Sequence, residues 1–269
     1  FKLSENGTDF KTEIIAGITT YLAMAYILGV NPVILGDGGM PVTGVFFATA
    51  VASGIACIIM GLVAKYPVGL APGMGLNALF TYTIILGMGN SAETALAAVL
   101  LSSIIFLIIT ISGLREAILN AIPLDLKLGI GAAIGCFLAF LGLKGAGIIV
   151  SDPSTFVSMG ALTAAPAFLA LLGILITLIL YVKKVPAAVF LGLVITAILG
   201  VIFTAAGYGT GDILRPAVPA QFITTSFDLS LFAACFNGFG TLFNNIPNLI
   251  MMLFSLVFVT FFDTTGTLM

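Results

Sequence analysis

Charge is nearly missing from this chain: 7% of its 269 residues are charged, 60% are hydrophobic, and the mean hydropathy is +1.25. Soluble domains carry about 25% charged residues, so a chain this apolar cannot clothe a surface that faces water on all sides. A water-soluble domain is excluded, and the chain reads as an integral membrane protein. The net charge of -2 comes without the basic stripe that neutralises phosphates, which sets nucleic-acid binding aside. Histidine is absent, and Cys57, Cys136 and Cys235 lie far apart with no CxxC spacing. The common zinc and redox signatures are therefore missing; the cysteines read as buried structural thiols, and neither metal nor cofactor is expected. The chain starts at Phe1 without an initiator Met or a cleavable leader and stops at Met269 inside an apolar run, so both ends read as truncated.

What the chain has in abundance is apolar runs of membrane length. A helix that crosses the hydrocarbon core needs about 20 such residues. Candidate spans fall at 14 to 34, 43 to 64, 67 to 87, 92 to 112, 126 to 143, 166 to 182, 186 to 206 and 247 to 269. Alternating the loops between these spans puts Lys2, Lys11, Lys65, Arg115, Lys127, Lys183 and Lys184 on one side, and Lys144 and Arg215 on the other. Basic residues accumulate in cytoplasmic loops, so the N-terminus is placed in the cytoplasm. The stretch from Tyr208 to Asn245 is the one sizeable external loop. Within it, the mildly apolar Leu229 to Phe243 reads as an interfacial helix, with a re-entrant segment as the alternative. Arg115 to Lys127 reads as a short surface helix on the inside.

The third span is irregular. Pro67, Gly69, Pro72, Gly73 and Gly75 crowd its first half, removing backbone donors and helix propensity together. The pattern predicts an extended strand over Tyr66 to Gly75, followed by a half-helix from about Leu76. Non-helical backbone at membrane depth persists only where it is buried in protein or lines a cavity. Transporters use such breaks to aim the N-terminus of a half-helix at a polar ligand. A glycine-rich packing surface is the competing explanation. Asn77, just inside the half-helix, has a carboxamide able to donate to and accept from a heterocycle; helix-to-helix bonding is its other use.

Asp263 is the only acid deep in an apolar run, in Phe261-Phe262-Asp263-Thr264-Thr265-Gly266-Thr267. A carboxylate at the bilayer centre costs about 2.5 to 3.5 kcal/mol on insertion scales, so it is normally kept for substrate or proton. A structural network with Thr264, Thr265 or Thr267 is the alternative. Glu13, at a membrane edge, and Tyr26, in the first span, read as structural.

Three motifs now stand in order: Thr19-Thr20-Tyr21-Leu22-Ala23-Met24-Ala25-Tyr26-Ile27 with Val30-Asn31-Pro32, Ala71-Pro72-Gly73-Met74-Gly75-Leu76-Asn77-Ala78, and Phe262-Asp263-Thr264-Thr265-Gly266-Thr267. Together they resemble the AzgA-like guanine/hypoxanthine permeases of the nucleobase/ascorbate transporter superfamily, and the resemblance covers the whole chain. It implies an all-α polytopic membrane protein of fourteen spans in two inverted seven-span repeats, of which this chain holds the first repeat and the start of the second. It also implies a core domain over 1 to 113 (spans one to four), a gate domain over 114 to 206 (spans five to seven), an external loop with an interfacial segment over 207 to 246, and a return to the core at 247 to 269 (span eight). The implied activity is import of a purine nucleobase with a proton as coupling ion, across the cell membrane. A homodimer through the gate domain is implied as well. Carried over by position, Gly75 and Asn77 match the family's purine contacts in span three. Asp263 matches its carboxylate in span eight, and Thr265 a polar position of the same motif. The family's essential Glu on span ten and the extended segment before it have no counterpart here.

Two rival functions remain open on sequence alone. An anion exchanger of the same architecture would hold sulfate or bicarbonate with its half-helix dipoles, although a deep Asp opposes an anion. An intramembrane aspartyl protease needs two embedded carboxylates sharing a proton, whereas Asp37 sits in a loop.

Overall fold

The computed structural model describes residues 8 to 65, 68 to 185, 187 to 207 and 233 to 267. Most of the expected external loop, including Arg215, lies outside these residues, as do Lys2, Tyr66 and Pro67. The described residues are overwhelmingly helical. In chain order they form α1 (Phe10–Met24), α2 (Ile27–Asp37), α3 (Val42–Ala64), α4 (Met74–Gly87), α5 (Ala92–Ile111), α6 (Leu114–Ala121) and α7 (Leu124–Gly145). A hairpin of β1 (Ile149–Asp152) and β2 (Phe156–Met159) follows, then α8 (Ala165–Val182), α9 (Ala188–Ala205), α10 (Ala234–Leu242) and α11 (Ile246–Thr267).

Among the described residues, six helical stretches are long and apolar enough to cross a membrane: Phe10–Asp37, Val42–Ala64, Ala92–Ile111, Ala165–Val182, Ala188–Ala205 and Ile246–Thr264. The two remaining expected spans are present as shorter apolar helices, Met74–Gly87 and Gly129–Gly145. Polytopic, helical membrane architecture is thus what the apolar runs produce. The hairpin is an addition that the run lengths did not announce. Its turn is organised by Asp152, whose Oδ1 accepts from the backbone N–H of Ser154 (2.7 Å) and Thr155 (3.0 Å). These donors favour the ionised form and hold the Asp152 carboxyl below the ordinary carboxylate range.

The chain forms two compact units. One is drawn from Phe1–Ile27, Ile55–Leu70 and Ala139–Thr225, the other from Leu28–Gly54, Ala71–Leu138 and Ser226–Met269. In the first unit α8 packs against α9 through matched small and β-branched residues. A Cβ built on Gly173 would lie 2.6 Å from Thr196 Oγ1, and one on Gly192 would lie 3.0 Å from Thr177 Cβ. Each threonine in turn donates to the carbonyl of the glycine one turn earlier, Thr177 to Gly173 (2.8 Å) and Thr196 to Gly192 (2.7 Å). Small residues that let backbones approach are the main packing device between helices in lipid.

The irregular stretch before α4 also depends on close approach. Leu70 has no helical partner for its backbone; its N–H donates to Cys57 Sγ (3.1 Å), and the same thiol donates to its carbonyl (3.4 Å). Gly69 lies against Met24, whose sulfur would be 2.6 Å from a Cβ at that position. Cys57 therefore has the structural role expected of it, although it is only half-buried, and Cys136 is exposed. The expected strand is not formed: residues 68 to 73 are irregular, with no strand partner among the described residues. Pro72 cannot donate to a ladder, and Leu70 is committed to the thiol.

The second unit carries a contiguous apolar core, including Val45, Phe80, Ile84, Ala95, Ala98, Leu242, Met252 and Leu256. The alanine face of α5 lets both α10 and α11 come close. Gly238 of α10 lies directly on the carbonyl of Glu93, where a side chain would collide with backbone. Thr94 and Thr241 join the two helices through their hydroxyls (2.7 Å). α10 thus covers the second half of the Leu229 to Phe243 stretch, with Ala234, Gly238 and Leu242 buried against its neighbours.

Candidate functional site

The half-helix begins two residues earlier than its composition predicts. Gly73 takes an extended conformation (φ -71°, ψ 123°) as N-cap, and Asn77 N–H makes the first helical bond to Gly73 O (3.2 Å). Gly75 therefore lies inside the first turn. The disruption ends with Pro72, because a lone glycine costs a helix only about 1 kcal/mol whereas proline costs about 3. From Leu79 to Gly87 the helix widens to π geometry, and Asn90 Nδ2 donates to the Ile84 carbonyl (3.0 Å) near its end.

Asp263, half-buried on α11, comes to the start of α4 in the same unit. Its Oδ2 would be 2.5 Å from a Cβ at Gly73, and its Oδ1 3.9 Å from one at Gly75. The carboxylate occupies space that any larger residue at position 73 would fill, beside the free N–H groups and positive dipole end that open a helix. Sequence spacing separates these residues by almost two hundred positions; packing of α11 on α4 joins them. The hydroxyl proton of Thr264 is directed to backbone, with Thr260 O at 2.8 Å and Phe261 O at 3.1 Å. The side chains of Thr265 and Thr267 lie outside the described residues.

Asn77 is half-buried on α4, and its Nδ2 donates to Asn31 Oδ1 on α2. Asn31 is 3% exposed, and its own Nδ2 donates to Thr49 Oγ1 on α3 (2.7 Å). Thr49 passes its proton to the carbonyl of Val45 (2.7 Å). Asn31, Thr49 and Gly73 are the contributors that reading by motif left without a role. The signal for Asn31 was an amide in an otherwise apolar span, next to Pro32. Thr49 offered none, since a threonine in a helix usually bonds its own backbone. Phe80 is buried in the apolar core, and Phe262 packs edge-on against Phe258 at 4.5 Å, so neither is assigned to a ligand face.

Glu13 lies in the first turn of α1, where an acidic side chain suits the helix dipole, and Tyr26 sits in the turn between α1 and α2. Asp37 accepts from Tyr82 Oη at 2.8 Å.

Comparison with known proteins matches residues 11–269 to the model of a permease family. The guanine/hypoxanthine permease PbuG of Bacillus subtilis (strain 168) is 42% identical over 286 residues, covering 100% of this chain and 60% of that protein. The guanine/hypoxanthine permease PbuO of the same organism is 38% identical, with 100% of this chain and 60% of that protein covered. The adenine permease AdeP of Escherichia coli (strain K12) is 39% identical, covering 100% and 57%. The chain thus spans about 60% of the length of these relatives.

Proposed function

Because this chain belongs to the permease family, a transporter family and not one of enzymes, we propose that it is the substrate-binding part of a purine nucleobase importer. The observation that carries this reading is the meeting of Asp263 with Gly73 and Gly75 at the start of α4, one helical turn from Asn77. A purine edge alternates N–H donors with oxygen or ring-nitrogen acceptors. Asp263 and the Asn77 carbonyl accept from the donors, and the opening N–H groups of α4 serve the acceptors. Gly75 allows the ring to approach the backbone, and Thr265 is the further polar residue that the family motif assigns to substrate.

Transport runs by proton symport. The core over 1 to 113 and 247 to 269 rocks against the gate over 114 to 206, and a second copy docks through the gate. The protein resides in the cell membrane with its N-terminus in the cytoplasm and the 207 to 246 segment outside. A bound sulfate or bicarbonate would have to share the helix start with the Asp263 carboxylate, like charge against like charge, which disfavours the anion reading. The relatives' names, all permeases, give the protease reading no support.

The test is uptake of radiolabelled hypoxanthine, guanine, adenine, uracil and sulfate by cells expressing the full-length protein. Purine uptake that collapses with a protonophore is the expected result. Uptake of sulfate without any purine would sink the proposal.

A further inference from the structure

The hydrogen bonds running from Asn77 have a forced direction. Val45 O is a carbonyl and only accepts, so the Thr49 hydroxyl must donate to it across 2.7 Å. Having one proton, Thr49 can then only accept from Asn31, which presents Nδ2 to it at 2.7 Å. The other end of the Asn31 amide is consequently its oxygen, and Asn77 must meet that oxygen with Nδ2. A flipped Asn77 would set oxygen against oxygen. Thr49 and Asn31 are 4% and 3% exposed, so water is not at hand to rescue a broken link.

From this relay we infer that Thr49 and Asn31 are positioning residues which lock the Asn77 amide with its carbonyl oxygen turned away from Asn31 and toward the ligand. The inference rests on the purine reading of the site and adds its selectivity. Asn77 stands one turn beyond Gly73, the residue against which Asp263 lies, so the ligand meets two acceptors there, a carboxylate and a carboxamide oxygen. That pairing selects a ring carrying N–H where it meets Asn77. Hypoxanthine has N–H at ring position 1; adenine has a lone pair there, which would face the Asn77 oxygen unpaired. Sites built around a hydrogen bond reject the analogue lacking it far more strongly than apolar pockets reject a change of size.

Thr49→Val separates this role from simple support. Valine keeps the shape of threonine, and the Val45 carbonyl retains its helical N–H partner. Neither orientation of the Asn31 amide is then paired at that end. The two orientations become close in energy, and Asn77 is free to turn its NH2 outward. Equilibrium binding of hypoxanthine and adenine to the purified full-length protein should show the wild type favouring hypoxanthine. In Thr49→Val that preference should fall by about tenfold, with adenine affinity held or raised. Thr49→Ser, which restores the hydroxyl, should keep the wild-type ratio. A preference unchanged in Thr49→Val, equal loss for both ligands, or a wild type favouring adenine would each overturn the relay while leaving purine transport standing. Failure of the wild type to bind either purine would instead remove the parent reading and the relay with it.

Discussion

At position 263 a carboxylate and a carboxamide differ by little in size and by everything in hydrogen bonding, since Asn replaces one acceptor oxygen with a donor. The Asp263 side chain lies against Gly73, where even a methyl group would crowd it, so the exchange keeps the packing of α11 on α4. Asp263→Asn should leave membrane insertion and thermal stability near wild type. Binding of hypoxanthine to the full-length protein should weaken by about 10- to 150-fold, the equivalent of a charge-assisted bond of about 1.5 to 3 kcal/mol. Asp263→Glu should do less harm. Equilibrium binding gives the answer, and wild-type affinity in the Asn variant would withdraw Asp263 from the site. Asp263 could be picked out as a candidate from the sequence, because an acid inside an apolar run is conspicuous. Its partner at Gly73 could not, because nothing local to either residue encodes which helices pack.

Among the elements, the α8 and α9 pair shows how little side chain a close helix contact needs. Gly192 leaves room for Thr177, a β-branched residue with few rotamers into which to retreat. Gly192→Ala should lower stability by about 1 to 3 kcal/mol, the usual cost of overpacking, measured as thermal unfolding in detergent. Adding Thr177→Ala should recover part of the loss, since it removes the atoms the new methyl meets. Gly54→Ala, at a position with open space around it, should show no loss. Equal destabilisation at positions 54 and 192 would mean that helix contact is not the cause. The same dependence on contacts explains the half-helix. Its existence followed from Pro67, Pro72 and the glycines, but its start at Met74 followed from Gly73 acting as N-cap, a choice that composition leaves open. The absence of a strand over the described residues 68 to 73 reflects the Cys57 thiol, which holds the Leu70 backbone from another helix.

On the scale of the whole molecule, the spans were legible because hydrocarbon thickness imposes a length on each of them. The two compact units were not legible in this way. Each gathers three separate stretches of chain, and the choice of neighbours is made by residues such as Gly173 and Gly238 that look alike in sequence. Orientation depends on something simpler, the distribution of Lys and Arg between alternate loops. The proposed topology puts Lys65 and Lys183, at the ends of α3 and α8, on the cytoplasmic side and Asp152, in the hairpin, on the external side. Single cysteines at these positions should therefore differ in access from outside the cell. The background must first lose its own thiols. Serine is the replacement of choice at Cys57, since it keeps a group that both donates to and accepts from Leu70. In intact cells a membrane-impermeant maleimide should modify Asp152→Cys and spare Lys65→Cys and Lys183→Cys, and all three should react once the membrane is opened. Labelling of Lys65→Cys from outside, with Asp152→Cys protected, would invert the topology and with it the direction in which the start of α4 faces its substrate.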